Sequence, residues 1–273
     1  MPIAYFKDGF QDESACHVGL RDRSFRFGDG LFETMLVAEG KIFDLPAHIE
    51  RLKHGLESLH IALDLNELPA ICVETLRRNE LQGGYLRVVV SRGEDREGAS
   101  GYLPDGCTPY LIVLVIPRPY PSFAPLKLWQ SSYYACAQVP AKTNNGILYS
   151  LALLEARAQA CDNALLLDGQ GRICETASGS IFWVKDETLY TPAPDLPLVP
   201  GTMRHRVMTL WPGRVEEGHF LLDALRDCDE VFMTNSGVVL APIVAIEPLG
   251  VRFDVGKQTK YLRKRLDEEI QRK

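Results

Sequence analysis

The chain has 273 residues, 46% of them hydrophobic and 24% charged, enough for one large or two medium globular domains. Thirty basic against thirty-six acidic residues give a formal charge of −6, and no basic cluster is interleaved with aromatics, which argues against a nucleic-acid partner. Seven cysteines, scattered from Cys16 to Cys228 without a Cys-x-x-Cys pair, argue against a disulfide framework or a zinc site and fit a reducing cytoplasm. No metal site is expected; Cys136 and Cys161 read as buried packing residues. The opening Met-Pro-Ile-Ala-Tyr-Phe-Lys-Asp has no basic region followed by an apolar core, and no apolar run approaches about eighteen residues, so neither secretion nor a membrane span is expected.

In chain order, residues 31–38 and 41–43 flank Glu39-Gly40 as a hairpin. A helix over 46–59 follows, with Asp44 as its cap and Pro46 in its first turn, and a second helix over 68–79 precedes Gly83-Gly84. Residues 85–90 and 110–116 are β-branched runs suited to a sheet, separated by the polar loop 92–108. Strands and helices do not alternate regularly, so the class expected is α+β. Residues 117–125 hold four prolines, which remove donors and keep the backbone extended; they divide a small domain, 1–116, from a larger one, 126–273.

Within the second part, Ile147, Leu151, Leu154 and Ala158 recur at spacings of four, three and four, predicting a helix that buries this stripe. Residues 164–167 and 172–176 form a hairpin around Asp168-Gly169-Gln170-Gly171, with Glu175 near its end, and 181–185 with 188–191 form another. After a proline-rich loop, Gly201-Thr202 opens a helix that runs through Leu210; its free N–H groups suit a phosphate.

Lys142 stands in Pro-Ala-Lys-Thr-Asn-Asn, with no further basic side chain until Arg157. Desolvation among small uncharged neighbours disfavours the ammonium and makes the amine a nucleophile able to form a Schiff base. Taken alone, a loop lysine is a solvated charge, Pro-Gly-Thr is only a cap, and Arg51 in His48-Ile49-Glu50-Arg51-Leu52 is a surface arginine paired with a nearby glutamate.

Their order along the chain changes that reading. Asp22-Arg23, Phe27-Gly28-Asp29-Gly30-Leu31-Phe32-Glu33-Thr34, the Arg51 motif, Lys142, Glu175-Thr-Ala-Ser-Gly-Ser-Ile-Phe and Val199-Pro-Gly-Thr-Met-Arg204 together resemble the class IV pyridoxal-phosphate enzymes over nearly the whole chain. The resemblance implies fold type IV, like D-amino acid aminotransferase: a small α/β sandwich domain and a larger β-barrel-like domain with helices that binds the cofactor. It implies pyridoxal 5′-phosphate (PLP) on Lys142, with Arg51, Glu175, Ser178, Gly201, Thr202, Met203, Asn235 and Ser236 as cofactor-binding residues and a homodimer as the assembly.

Met203, where aminotransferases often have threonine, and Thr234-Asn235-Ser236 are similar to 4-amino-4-deoxychorismate lyases of folate biosynthesis. Ile147 replaces the tyrosine that branched-chain aminotransferases place five residues after the lysine, and Ser180 replaces a usual asparagine. A small substrate bearing a carboxylate is implied, with Arg26, Arg92 and Arg96 as its candidate partners and Arg87 as a further one. The alternative is an aminotransferase for branched-chain, D- or other amino acids, although the loop lacks the Arg-x-His pair of typical D-amino acid enzymes, which counts against that member. A non-catalytic binding protein of the same fold is opposed by the joint presence of Lys142, Glu175 and Arg51.

Overall fold

The computed structural model describes residues 1–99, 101–135 and 141–272; Cys136 lies outside them. The chain divides into two compact units, residues 1–120 with 141–146, and residues 121–135 with 147–272. The segment holding Lys142 therefore groups with the first unit and not with the larger second one.

The first unit contains β1 (Ile3–Phe6), β2 (Gly9–Asp12), α1 (Arg23–Phe27), β3 (Gly30–Ala38), β4 (Lys41–Ile42), α2 (Leu45–Ser58), α3 (Leu68–Arg78), β5 (Gly83–Ser91) and β6 (Tyr110–Pro117). Its strands form one antiparallel sheet in the order β2-β1-β6-β5-β3-β4. The period-two pattern sets the faces: Leu31, Met35, Val37, Leu86, Val88, Val90, Val113 and Val115 are buried, while Phe32, Thr34, Arg87, Val89, Ile112 and Leu114 on the other face are half-buried. α2 and α3 pack on the sheet through Ile49, Leu52, Leu56, Leu68, Ile71 and Leu76, each worth roughly 1.5–3 kcal/mol of burial. Asp44 occupies the N-cap of α2 but makes no side-chain cap bond, because its backbone is left-handed (φ 55°) to turn the chain out of β4. Asp22 does cap α1, accepting from the Phe25 N–H at 3.1 Å.

The second unit contains β7 (Leu126–Tyr134), α4 (Ile147–Ala158), β8 (Asn163–Leu167), β9 (Ile173–Thr176), β10 (Ser180–Lys185), β11 (Thr188–Pro192), α5 (Thr202–Leu210), β12 (Val215–Gly218), β13 (Glu230–Asn235), β14 (Val239–Glu247), β15 (Val251–Arg252) and α6 (Lys257–Arg272). The strand order is β12-β11-β10-β13-β14-β7-β8-β9, with β15 on β14. The sheet curls so far that its ends approach: the Ile173 N–H donates to Phe220 O at 2.8 Å, and Arg172 bridges Leu221, just beyond β12. Leu128, Leu165, Ile173, Ile181, Trp183, Val231, Met233 and Ile243 fill one core inside this half-barrel.

α4 lies over β7 and β8, but on another face than its apolar spacing predicts. Ala152 and Ala156 are fully buried, whereas Ile147 and Leu154 are 60% and 62% exposed and Ala158 is also exposed. Two alanines let the helix backbone approach the sheet, while Ile147 and Leu154 of the predicted stripe are turned outward and Leu151 is half-buried. Cys161 is buried, as expected. Among the described residues, no helix is long and apolar enough to cross a membrane.

Candidate active site

In the first unit, residues 142–144 run along the edge of β3. The Phe32 N–H donates to Lys142 O and the Asn144 N–H to Gly30 O, both at 2.9 Å, and Thr143 bridges Leu31. Asn144 anchors the segment, its Nδ2 donating to Ser24 Oγ (2.7 Å) and Val90 O (3.1 Å). The amide can lie there only because residue 30 is glycine: a Cβ would sit 2.1 Å from Val90 O and 2.6 Å from Asn144 Nδ2. Gly28, at φ +68°, plays the same part, since a Cβ would come within 2.8 Å of Asn145. Two glycines of the Phe27-Gly28-Asp29-Gly30 motif thus make room for the lysine segment more than a hundred residues later.

Lys142 Nζ lies 4.4 Å from the Phe32 ring centroid, and the Arg87 guanidinium lies 5.3 Å from the same ring. Arg87 Nη2 reaches Thr34 Oγ1 at 3.4 Å, and its Nε is buried without a hydrogen-bond partner.

Arg51, on α2, is gripped by Glu33 of β3, with Nε to Oε1 at 2.7 Å and Nη2 to Oε2 at 2.5 Å. His48, one helical turn earlier, places Nδ1 2.6 Å from Glu33 Oε2. Glu33 is 1% exposed. Burial by itself would raise its carboxyl, but the bond from His48 and the charge and bonds of Arg51 hold it down at about 2. Sequence reasoning passed over Glu33 and His48 as site residues, although both stand inside the motifs quoted.

The candidate substrate arginines are placed differently from one another. Arg92 does not face outward: its Nε donates to both Asp29 oxygens at 2.8 Å, and its Nη atoms reach Leu59 O (2.6 Å) and His60 O (3.2 Å), so it staples the loop to the end of α2. Arg96 pairs with Asp105 in the exposed loop. Arg26 lies over the Phe27 ring and donates to Asp95 at 3.2 Å; Asp95 is also held by buried Arg23.

In the second unit, Glu175 ends β9 at 3% exposure. Its Oε1 accepts from the Tyr149 hydroxyl at 2.8 Å and its Oε2 from the Val199 N–H at 3.1 Å. Tyr149, seven residues after Lys142, was not singled out by sequence. Gly201 is the N-cap of α5, and a Cβ on it would lie 2.8 Å from Ser180 Oγ; Thr202 begins the helix, and Met203 is buried. Ser180 pairs with Thr234, which brings the tip of the β9–β10 hairpin beside the turn at Asn235, Ser236 and Gly237. Asn235 buckles the two: Nδ2 donates to Ser178 O (2.8 Å), and Oδ1 accepts from the Gly237 and Val238 N–H groups (2.7 and 2.8 Å).

Residues 30–246 match the family model for amino-transferase class IV, and the chain belongs to this pyridoxal-phosphate-dependent family. It is 31% identical over 269 residues to aminodeoxychorismate lyase of Vibrio harveyi, covering 92% of this chain and 96% of that one. It is also 30% identical over 282 residues to a putative branched-chain-amino-acid aminotransferase of Methanocaldococcus jannaschii, covering 97% and 95%. Among solved structures, 4-amino-4-deoxychorismate lyase from Pseudomonas aeruginosa superposes with a TM-score of 0.84 at 28% identity, over 93% of this chain and 96% of that one. The branched-chain aminotransferase of Thermoproteus uzoniensis shares the fold, with a TM-score of 0.90 at 22% identity over 98% and 94%.

The donor set fits the family's cofactor. Taken one by one, Lys142 has an amine that would suit an aldehyde, Glu175 a buried carboxylate with two hydrogen bonds that would suit a ring nitrogen, and Arg51 in the first unit and the start of α5 in the second each have N–H donors of the kind that would suit a phosphate.

Proposed function

We propose that this chain is a cytoplasmic, homodimeric 4-amino-4-deoxychorismate lyase that releases pyruvate and forms 4-aminobenzoate. The observation that carries this reading is Met203, buried in the first turn of α5, together with the Asn235 buckle in the turn at 234–236. These are the two positions where the chain resembles the lyases, and the Vibrio harveyi and Pseudomonas aeruginosa proteins bear that name.

PLP, when bound, supplies an electron sink for the pair released when a bond at the substrate's amine-bearing carbon breaks. Lys142 removes the proton from that carbon, its amine held beside Phe32 by the strand pairing of residues 142–144. Glu175, oriented by Tyr149 and the Val199 N–H, keeps a proton on the ring nitrogen. Arg51 offers its donors from a geometry fixed by Glu33. Arg87, with a buried unpartnered Nε near Lys142's aromatic neighbour, binds a substrate carboxylate; this role passes to it from Arg92. Loss of the pyruvate unit then makes the ring aromatic, and the proton taken by Lys142 passes to the departing pyruvate carbon.

The second reading is an aminotransferase, favoured by 30% identity to the Methanocaldococcus jannaschii protein over 97% of this chain. On that reading Lys142 would carry the proton taken from the substrate's amine-bearing carbon, the bound cofactor would supply the acceptor for the amine, and water would release the 2-oxo acid. One experiment separates them: absorbance of the purified yellow protein with 4-amino-4-deoxychorismate, assaying 4-aminobenzoate and pyruvate together. Stoichiometric products, absent in Lys142→Ala, support the lyase. A yellow band that yields no product but is bleached by an amino acid supports the aminotransferase. Sedimentation of the same sample at two concentrations tests the dimer.

A further inference from the structure

We infer that Asn163, at the start of β8, is a positioning residue that makes the Ser178 hydroxyl a dedicated donor to the cofactor's phosphate; this rests on the cofactor reading above. Asn163 is only 7% exposed and belongs to none of the motifs that define the site.

The orientation of its amide is fixed by the hydrogen bonds around it. Oδ1 accepts from the Ala164 N–H at 2.8 Å, so it must be the oxygen, and the NH2 group must face Ser178 Oγ, 2.7 Å away. The amide of Asn235 is fixed in the same way: two backbone N–H groups claim its Oδ1, and its Nδ2 lies 3.4 Å from the same Ser178 oxygen. A serine hydroxyl has two acceptor lone pairs and one proton to give. With N–H donors facing the oxygen from two sides, that proton is directed away from both asparagines. Ser178 can then donate outward and has little capacity left to accept.

Its place in the fold gives this donor a use. Ser178 is an exposed residue at the tip of the β9–β10 hairpin, buckled by Asn235 to the 235–238 turn, two residues from the Ser180 hydroxyl that abuts Gly201 at the start of α5. A donor-only hydroxyl favours an anionic oxygen over a neutral hydroxymethyl group. Asn163 acts on the ligand only through Ser178.

The test compares wild type, Asn163→Ala, Ser178→Ala and the double variant, all as apo-protein. Tryptophan fluorescence is titrated with PLP and, separately, with pyridoxal, which lacks the phosphate, and the thermal midpoint of each apo form is recorded. The expected result is an approximately tenfold weaker PLP affinity for Asn163→Ala with an unchanged pyridoxal affinity, whatever the change in the apo midpoint. The double variant should bind PLP no worse than Ser178→Ala, because the first residue works through the second. Equal losses for both ligands or additive losses in the double variant would overturn the positioning role in favour of a structural one. Wild-type binding of PLP with Asn163→Ala unaffected refutes this inference alone, whereas a wild type that does not bind PLP refutes the cofactor reading and the inference with it.

Discussion

The two units hold their site residues by different physics. In the first, Arg51 is aimed by a buried charge cluster with Glu33 and His48, and Lys142 by backbone pairing to β3 with Asn144 crossing a glycine gap. In the second, Ser178 and Asn235 are held by neutral amides and hydroxyls. A charge cluster is strong when complete and costly when one member is lost, because the remaining charges stay buried. A neutral network loses less per deletion and does not titrate in the acid range. The Glu33 cluster should therefore be sensitive to acid where the Ser178–Asn235 network is not.

The largest effect should come from Lys142→Ala, which removes nucleophile and base together: product formation should fall by about a thousandfold or more, with the thermal midpoint nearly unchanged. A residual rate near wild type would show that the amine beside Phe32 is not the base.

Glu33→Ala should follow, at about 3–5 kcal/mol of lost stability in urea unfolding, since Arg51 and His48 are left without their carboxylate. Its pH dependence has a definite sign. The folded carboxyl, at about 2, lies below its ordinary 4.5, so its stabilisation is present above pH 4.5 and is lost as pH falls through that range toward about 2. The wild type should lose on the order of 3 kcal/mol there, whereas Glu33→Gln should show a flatter acid limb. Parallel acid limbs in the two proteins would contradict the cluster.

Gly30→Ala should cost roughly 1–3 kcal/mol by overpacking against Val90 O, and should lower activity further by displacing Asn144. Asn144→Ala should reproduce the activity loss with less destabilisation; if it is fully active, the anchor is dispensable. The smallest effect belongs to the neutral side: Asn235→Ala should cost about 1 kcal/mol, the same at pH 4 and pH 7, measured by urea unfolding.

Much of the fold was legible because it is local. Turn signals and β-branched runs gave β3, β5, β6 and the β10–β11 hairpin within a residue or two, and Gly201-Thr202 marked the start of α5. The ordered motifs gave the family, since each needs only its own few residues. α6 was not anticipated: Leu262, Leu266 and Ile270 repeat at four, but its dense charge masks the stripe.

The chain alone therefore determined many of the elements and the family, and singled out Lys142, Glu175 and Arg51 as candidates, because spacing, turn chemistry and motif order are written in consecutive residues. Only the tertiary structure decided which face of α4 is buried, that Lys142 seats on β3 of the first unit, that Arg92 staples a loop while Arg87 keeps a buried unpartnered Nε, and that Glu33 aims Arg51. Each of these depends on partners brought together from distant positions, such as Gly30 with Asn144 or Glu33 with Arg51. No local pattern encodes a partner that the fold has yet to supply.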